Sequence, residues 1–209
     1  MNLRIFITPI LFIYCSVFIP NININSNLTA FADTIAQKPN TQLSTAEKAD
    51  LKQGQVVLKG EQGNYLGQVV ATGNMETAWQ VLTDYDNFAR FLPNIKFSKV
   101  IDSQGDRIVF EQVNVVDLWL FKQEFTVQIE AIKSKPNKVD FQIVDGDLKK
   151  LIGRWGIETV SPGKVLVSHA VKVEPGSDTE KPFFYGVYES SLEETLQAIA
   201  IEITKRSKI

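Results

Sequence analysis

Apolar and polar residues alternate with a period of two through most of the chain after residue 55, and the period lengthens near residue 183. Residues 55–71 alternate around Gly63-Asn64 and are predicted to be strand. Gly73-Asn74 stops the run, and Asn74 is placed to N-cap a helix over 75–82 with Ala78, Trp79 and Leu82 on one face. Asp84 or Asp86 is expected to cap a second short helix over 87–92, which Pro93 ends. Six more period-two runs follow, at 95–102, 107–116, 121–131, 138–144, 151–160 and 165–173. Turn-forming residues separate most of them: Ser103-Gln104-Gly105-Asp106, Lys135-Pro136-Asn137, Asp145-Gly146-Asp147 and Ser161-Pro162-Gly163. Such short connections make sequential strands antiparallel neighbours. One long helix over 183–206 closes the chain, with Phe184, Tyr188, Leu192, Leu196, Ile199 and Ile203 as its apolar stripe. The fold class is therefore α+β: a curved antiparallel sheet of about seven strands with the long helix laid across it and two short helices after the first strand.

Parity tells which residues share a face. Val165, Val167, His169, Val171 and Val173 form the apolar face of the last strand and point inward, whereas Ser168 points the other way. Gly153, Trp155, Ile157 and Thr159 are expected to face the same interior, as are Phe125, Val127 and Ile129, and Phe141 with Ile143. In 107–116 the two faces are Ile108, Phe110, Gln112, Asn114 and Val109, Val113, Val115, and the pattern does not choose between them. The segment TDYDNFARFLPNI, 83–95, combines Asp84, Asp86 and Arg90 with Tyr85, Phe88, Phe91, Leu92 and Ile95. Those apolar side chains either plug the end of the core or line something that opens.

Charge and composition narrow the function classes. The chain is 44% hydrophobic and 22% charged with a formal charge of −2, which gives no field for nucleic-acid phosphates. The N-terminus reads as an export signal: Arg4, an uncharged apolar run over 5–19, then Ala30-Phe31-Ala32 as a small-x-small cleavage pattern. Cleavage after Ala32 would start the mature chain at Asp33, in a periplasm or lumen; an uncleaved membrane anchor is the alternative. Cys15, the single cysteine, lies in that segment, so the mature chain has no thiol chemistry and no disulfide. Residues 33–54 are polar and read as a linker or loose arm with a helical turn at 45–51.

Several motifs, in this order and spacing, resemble a known family. They are Trp79…Leu82-Thr83-Asp84-Tyr85…Phe91-Leu92-Pro93-Asn94, then Gly146-Asp147…Gly153-Arg154-Trp155, then Val171-Lys172-Val173-Glu174-Pro175. Over about residues 55–206 the chain is similar to the polyketide cyclase/dehydrase and coenzyme Q-binding branch of the START-like (SRPBCC, helix-grip) superfamily. The resemblance implies a domain over 55–209 whose sheet grips the C-terminal helix around an apolar cavity. The residues expected on its wall are Phe88, Phe91, Leu92, Phe125, Val127, Phe141, Trp155, His169, Val171, Tyr188 and Leu192. Phe88, Phe91 and Leu92 would form a lid-like corner, while Asp84, Asp86 and Arg90 face water.

Candidate chemistry is sparse. His169 is the only histidine; an interior His is ordinarily hydrogen-bonded to a carbonyl or a Tyr hydroxyl, and the alternative is a polar anchor facing a ligand. Ser168 on the opposite face makes no dyad with it. One His without cysteine or a carboxylate pair at ligand spacing supplies no metal set, and Asp145 and Asp147 around Gly146 read as a turn. No phosphate-cradling glycine motif is present and no cofactor is expected. Three readings stay open. The first is a non-catalytic carrier for a lipid, quinone or other isoprenoid, oriented by His169, Gln112 and Tyr188 and exchanged in transient contact with a membrane. The second is a cyclase or dehydratase-like enzyme using His169 as acid/base. The third is a partner-binding module with a filled cavity.

Overall fold

The computed structural model describes residues 43–117, 122–176 and 181–208. The export segment, its cleavage point and the polar arm up to residue 42 lie outside the described residues. Alternating apolar and polar positions suit a half-buried pleated surface, and the described residues form eight strands: β1 (Val57–Glu61), β2 (Asn64–Thr72), β3 (Ile95–Gln104), β4 (Arg107–Asp117), β5 (Lys122–Ser134), β6 (Lys138–Gly146), β7 (Leu148–Ser161) and β8 (Lys164–Pro175). They form one antiparallel sheet in the order β1-β2-β8-β7-β6-β5-β4-β3. The first predicted strand is thus a hairpin, and the sheet has eight strands rather than about seven. After β2 the chain crosses through two short helices to the far edge, then meanders back until β8 pairs with β2, Gly67 opposite His169.

Among the described residues the α-helices are α1 (Thr45–Lys52), α2 (Met75–Leu82), α3 (Phe88–Phe91) and α4 (Lys181–Arg206). The Asn74 carboxamide oxygen accepts from the Thr77 N–H at 2.8 Å and caps α2 as its sequence requires. A single 3₁₀ turn, Tyr85–Asn87, leads into α3, and neither Asp84 nor Asp86 caps it. Asp84 instead accepts from the Asn87 amide at 2.7 Å and pairs with Arg206 at 2.9 Å, while Asp86 accepts from the Val100 N–H at 2.8 Å. Asp86 and Arg90 are exposed as expected and Asp84 is half-buried, and the two aspartates also tie this corner to α4 and β3. At the N-terminal side, Ser44 and Glu47 form a capping box and Leu51 is buried, so α1 is a packed helix.

Across the sheet, α4 seals its C-terminal half onto β2 and β8. Leu196 and Ile203 are 0% exposed, as are Val165 and Val167 on β8. Gly67 makes this close approach feasible: a Cβ there would stand 2.3 Å from Leu196 Cδ1.

Candidate functional site

Toward the N-terminal half of α4 the two layers separate and enclose a cavity of about 500 Å³. That lies within the roughly 300–1,000 Å³ of small-molecule sites. A partner-binding module with a filled interior would lack this space. The wall is mostly apolar: Phe125, Val127 and Ile129 of β5, Val139 and Phe141 of β6, Leu151 and Trp155 of β7, and Phe184, Tyr188 and Leu192 of α4. β6 and β7 pair only from Lys138–Gly156 to Gln142–Ile152, whereas β5–β6 pairing continues to Gly146 and β7–β8 pairing to Leu148. The two strands part beyond that point. Asp147 and Leu148 from this splayed end meet Phe183, Phe184 and Pro175 around the cavity, and Phe183 is 60% exposed.

The parity of β8 places His169 inward, and glycines decide what surrounds it. Its neighbour on β2 is Gly67, which leaves that flank to Leu196. On the other flank its cross-strand partner is Trp155, with ring centroids 3.8 Å apart. Phe141 faces Gly153 on β7, where a Cβ would stand 2.5 Å from Phe141 Cζ. The missing side chain lets the Phe141 ring reach across β7 and stack on the imidazole at 5.3 Å and 5°. Burial in this aromatic setting pushes the His169 pKa down from 6.5 to about 3, because the charged form loses its hydration. Nδ1 is sealed in without a hydrogen-bonding partner among the described residues. The carbonyl or Tyr hydroxyl expected for a satisfied core histidine is not there.

The corner built by α2 and α3 closes one side. Tyr85 stacks on Phe110 at 4.6 Å, Phe88 meets Tyr85 edge-on at 5.4 Å, and both line the cavity with Leu92. Among the described residues the Tyr85 hydroxyl is buried without a partner, and burial raises its pKa. Two expected wall residues lie elsewhere. Phe91 turns away from the cavity, meeting Phe88 edge-on at 5.8 Å and carrying the Arg206 guanidinium 5.3 Å above its ring. Val171 faces inward but is sealed in close packing at 0% exposure, because parity fixes the face of a strand and not whether the opposing layer is open there. Thr159, expected inside with Ile157, is exposed near the end of β7.

The mixed face of β4 resolves in favour of the cavity. Phe110, Gln112 and Asn114 line it, with Val109 on the other side of the sheet. Its polarity, which left the strand ambiguous, is the signature of a wall facing a cavity. Tyr85, Val139 and Leu151 were missed as wall residues; Val139 shares parity with Phe141 and Leu151 with Trp155, which could have found them. Among the described residues no three His, Cys, Asp or Glu side chains come together to hold a metal ion, and no helix is long and apolar enough to cross a membrane.

Residues 74–200 match the family described as polyketide cyclase / dehydrase and lipid transport. No curated protein matches the chain in sequence. Solved structures share its fold. The Zhui aromatase/cyclase from Streptomyces sp. R1128 superposes with a TM-score of 0.58 at 12% identity, over 73% of this chain and 96% of that one. A STAR-related lipid transfer protein from Xanthomonas axonopodis gives 0.56 at 14% identity, over 71% and 92%. A START superfamily protein from Mycobacterium smegmatis gives 0.54 at 17% identity, over 74% and 98%.

Proposed function

The chain belongs to the polyketide cyclase/dehydrase and lipid transport family and has its START-like helix-grip fold, and on that premise we propose that it is a non-catalytic binding protein for a hydrophobic small molecule. The observation that carries this reading is the cavity of about 500 Å³ with an apolar wall and a few uncharged polar groups. At roughly 30 Å³ per liquid-packed particle, it has room for at least about 15–20 non-hydrogen atoms, the size of a ring system or one isoprenoid chain. A quinone or other isoprenoid fits that description.

The second reading, a cyclase or dehydratase-like enzyme, draws on the aromatase/cyclases that share the fold. It would need His169 as acid/base. A histidine whose pKa is pushed to about 3 is poorly matched to proton transfer near neutral pH. His169→Gln separates the two readings, since Gln keeps a polar side chain of similar reach but cannot shuttle protons near neutral pH. A carrier keeps its fold and shifts ligand affinity by about 0.5–1.5 kcal/mol. An enzyme loses about 10²–10⁴-fold in turnover with binding largely kept. Turnover by wild type that is abolished in the variant would sink the carrier reading.

We place this binding outside the cytoplasm, in a periplasm or lumen, on the strength of the N-terminal signal pattern ending at Ala32. N-terminal sequencing of the exported chain should begin at Asp33; a chain that keeps Phe12 would mean a membrane anchor instead.

A further inference from the structure

We propose that the cavity selects uncharged ligands that present a hydrogen-bond acceptor to His169 Nε2–H, and that it discriminates against carboxylates and ammonium groups. This rests on the binding function proposed above and names the ligand class of that same cavity. The wall sets the charge preference. Among the described residues no Lys or Arg lines it, so an anionic headgroup inside would have no counter-charge. Its two carboxylates are exposed at the rim and not inside: Glu124 pairs with Lys96 Nζ at 2.6 Å, and Asp147 accepts from the Thr126 N–H at 2.7 Å. The remaining polar groups, including Gln112, Asn114, Tyr85 and His169, are uncharged near neutral pH. A charge moved from water into such a wall is uncompensated, which is far more costly than burying a neutral ester or ketone.

The imidazole sets the hydrogen-bond preference. Only Nδ1 of His169 is sealed off without a partner, which leaves Nε2 as the nitrogen that a bound molecule can reach. A neutral imidazole carries one proton. On Nδ1 it would be a buried donor with nothing to bond, and orphaned buried N–H groups are rarer than under-satisfied acceptors. The proton therefore sits on Nε2, and the open edge of the ring is a donor. The low proton affinity imposed by burial keeps it in this neutral, single-donor state. The Tyr85 hydroxyl, buried and unpartnered in the same wall, is a second donor available after a small shift of the corner.

The test uses four probes on one sesquiterpene skeleton, by isothermal titration of the purified chain near neutral pH: farnesene, methyl farnesoate, farnesoic acid and farnesylamine. Methyl farnesoate should bind tightest, and the acid and the amine at least about tenfold more weakly than the ester. His169→Phe keeps a ring against Trp155 and Phe141 but deletes both nitrogens. It should weaken methyl farnesoate by about three- to tenfold, the worth of one hydrogen bond, and leave farnesene unchanged. His169→Gln, which restores a donor, should recover part of that loss, and a thermal melt of each variant verifies folding. An acid or amine that binds as tightly as the ester overturns the charge selection while the binding function stands. An ester affinity untouched by His169→Phe overturns the anchor. If none of the four probes binds, farnesene included, the proposed binding function fails and this inference with it.

Discussion

The two halves of α4 lie against the same sheet and behave differently. The C-terminal half carries Leu196 and Ile203, fully buried branched aliphatic side chains that close onto the sheet, while Ile199 between them borders the cavity. The N-terminal half carries aromatics. Phe184 stacks on Tyr188 at 5.8 Å, and Tyr188 on Tyr65 at 5.8 Å, so these rings spend their surface on one another. Tyr65 in turn donates its hydroxyl to Glu189 at 2.8 Å and fixes this half of the helix to β2. Rigid rings braced sideways can hold a wall without filling the space in front of it, whereas aliphatic chains interdigitate until the space is gone. One half holds the domain together and the other keeps a cavity open.

The largest effect expected from this contrast is on the sealed half. Leu196→Ala should lose about 2–5 kcal/mol in a urea titration, as other fully buried Leu truncations do. A loss under about 1 kcal/mol would mean that this half is not sealed.

Protonation tests the aromatic setting of the other half. His169 stays neutral in the folded chain down to about pH 3, against an ordinary value of 6.5. Between those values the unfolded chain binds the extra proton. The stability is therefore fully present above about pH 6.5 and falls as pH drops, by up to about 1.4 kcal/mol per pH unit. His169→Phe should remove this component, so the urea midpoints of wild type and variant should diverge progressively from about pH 6.5 toward about pH 4. Parallel curves would mean that the imidazole is hydrated.

Trp155→Ala sharpens the same comparison. A packed tryptophan costs about 3–5 kcal/mol on truncation, but Trp155 is only half-buried and borders the cavity. A loss of about 1–2 kcal/mol is expected, together with a marked change in ligand affinity. The full core cost, with ligand binding unaltered, would move Trp155 into the sealed half.

The smallest effect is on the ion pair that joins the α2–α3 corner to the end of α4. Burial pushes the Glu202 carboxyl up, but hydrogen bonds from Arg206 and Lys205 outweigh it and hold the group below its ordinary range. Arg206 thus keeps Glu202 when Asp84 is lost. Asp84→Asn should cost only about 0.2–1 kcal/mol in a thermal or urea melt. A larger loss would make this pair a structural fastener of the cavity corner.

The extent to which the chain announces this arrangement varies with the kind of information involved. Period and turn chemistry are local, so α2 appears over 75–82 as expected and the strand runs after residue 95 all appear, most of them extended by a few residues. Parity is also local, and it put His169, Trp155 and Phe141 on the inner face. What cannot be read locally is whether two facing layers touch. Val171 and His169 share one face of β8 and have the same alternation, yet only His169 borders open space. Phe91 was expected on the wall from the family resemblance, but its ring lies off the cavity, under the guanidinium of Arg206 more than a hundred residues later. The Phe141–His169 stack depends on the absence of a side chain at Gly153, one strand away from each ring.

The central claim is that the open half holds an apolar molecule and does not transform it. The most direct measurement is native mass spectrometry of the purified chain before and after solvent extraction, with the extract identified and returned to the protein. The expected result is an adduct that extraction removes, that consists of an uncharged hydrophobic molecule, and that rebinds and is recovered chemically unchanged after incubation. A chain that carries no adduct and takes up no apolar probe, or an extract converted to a new product on return, would contradict it.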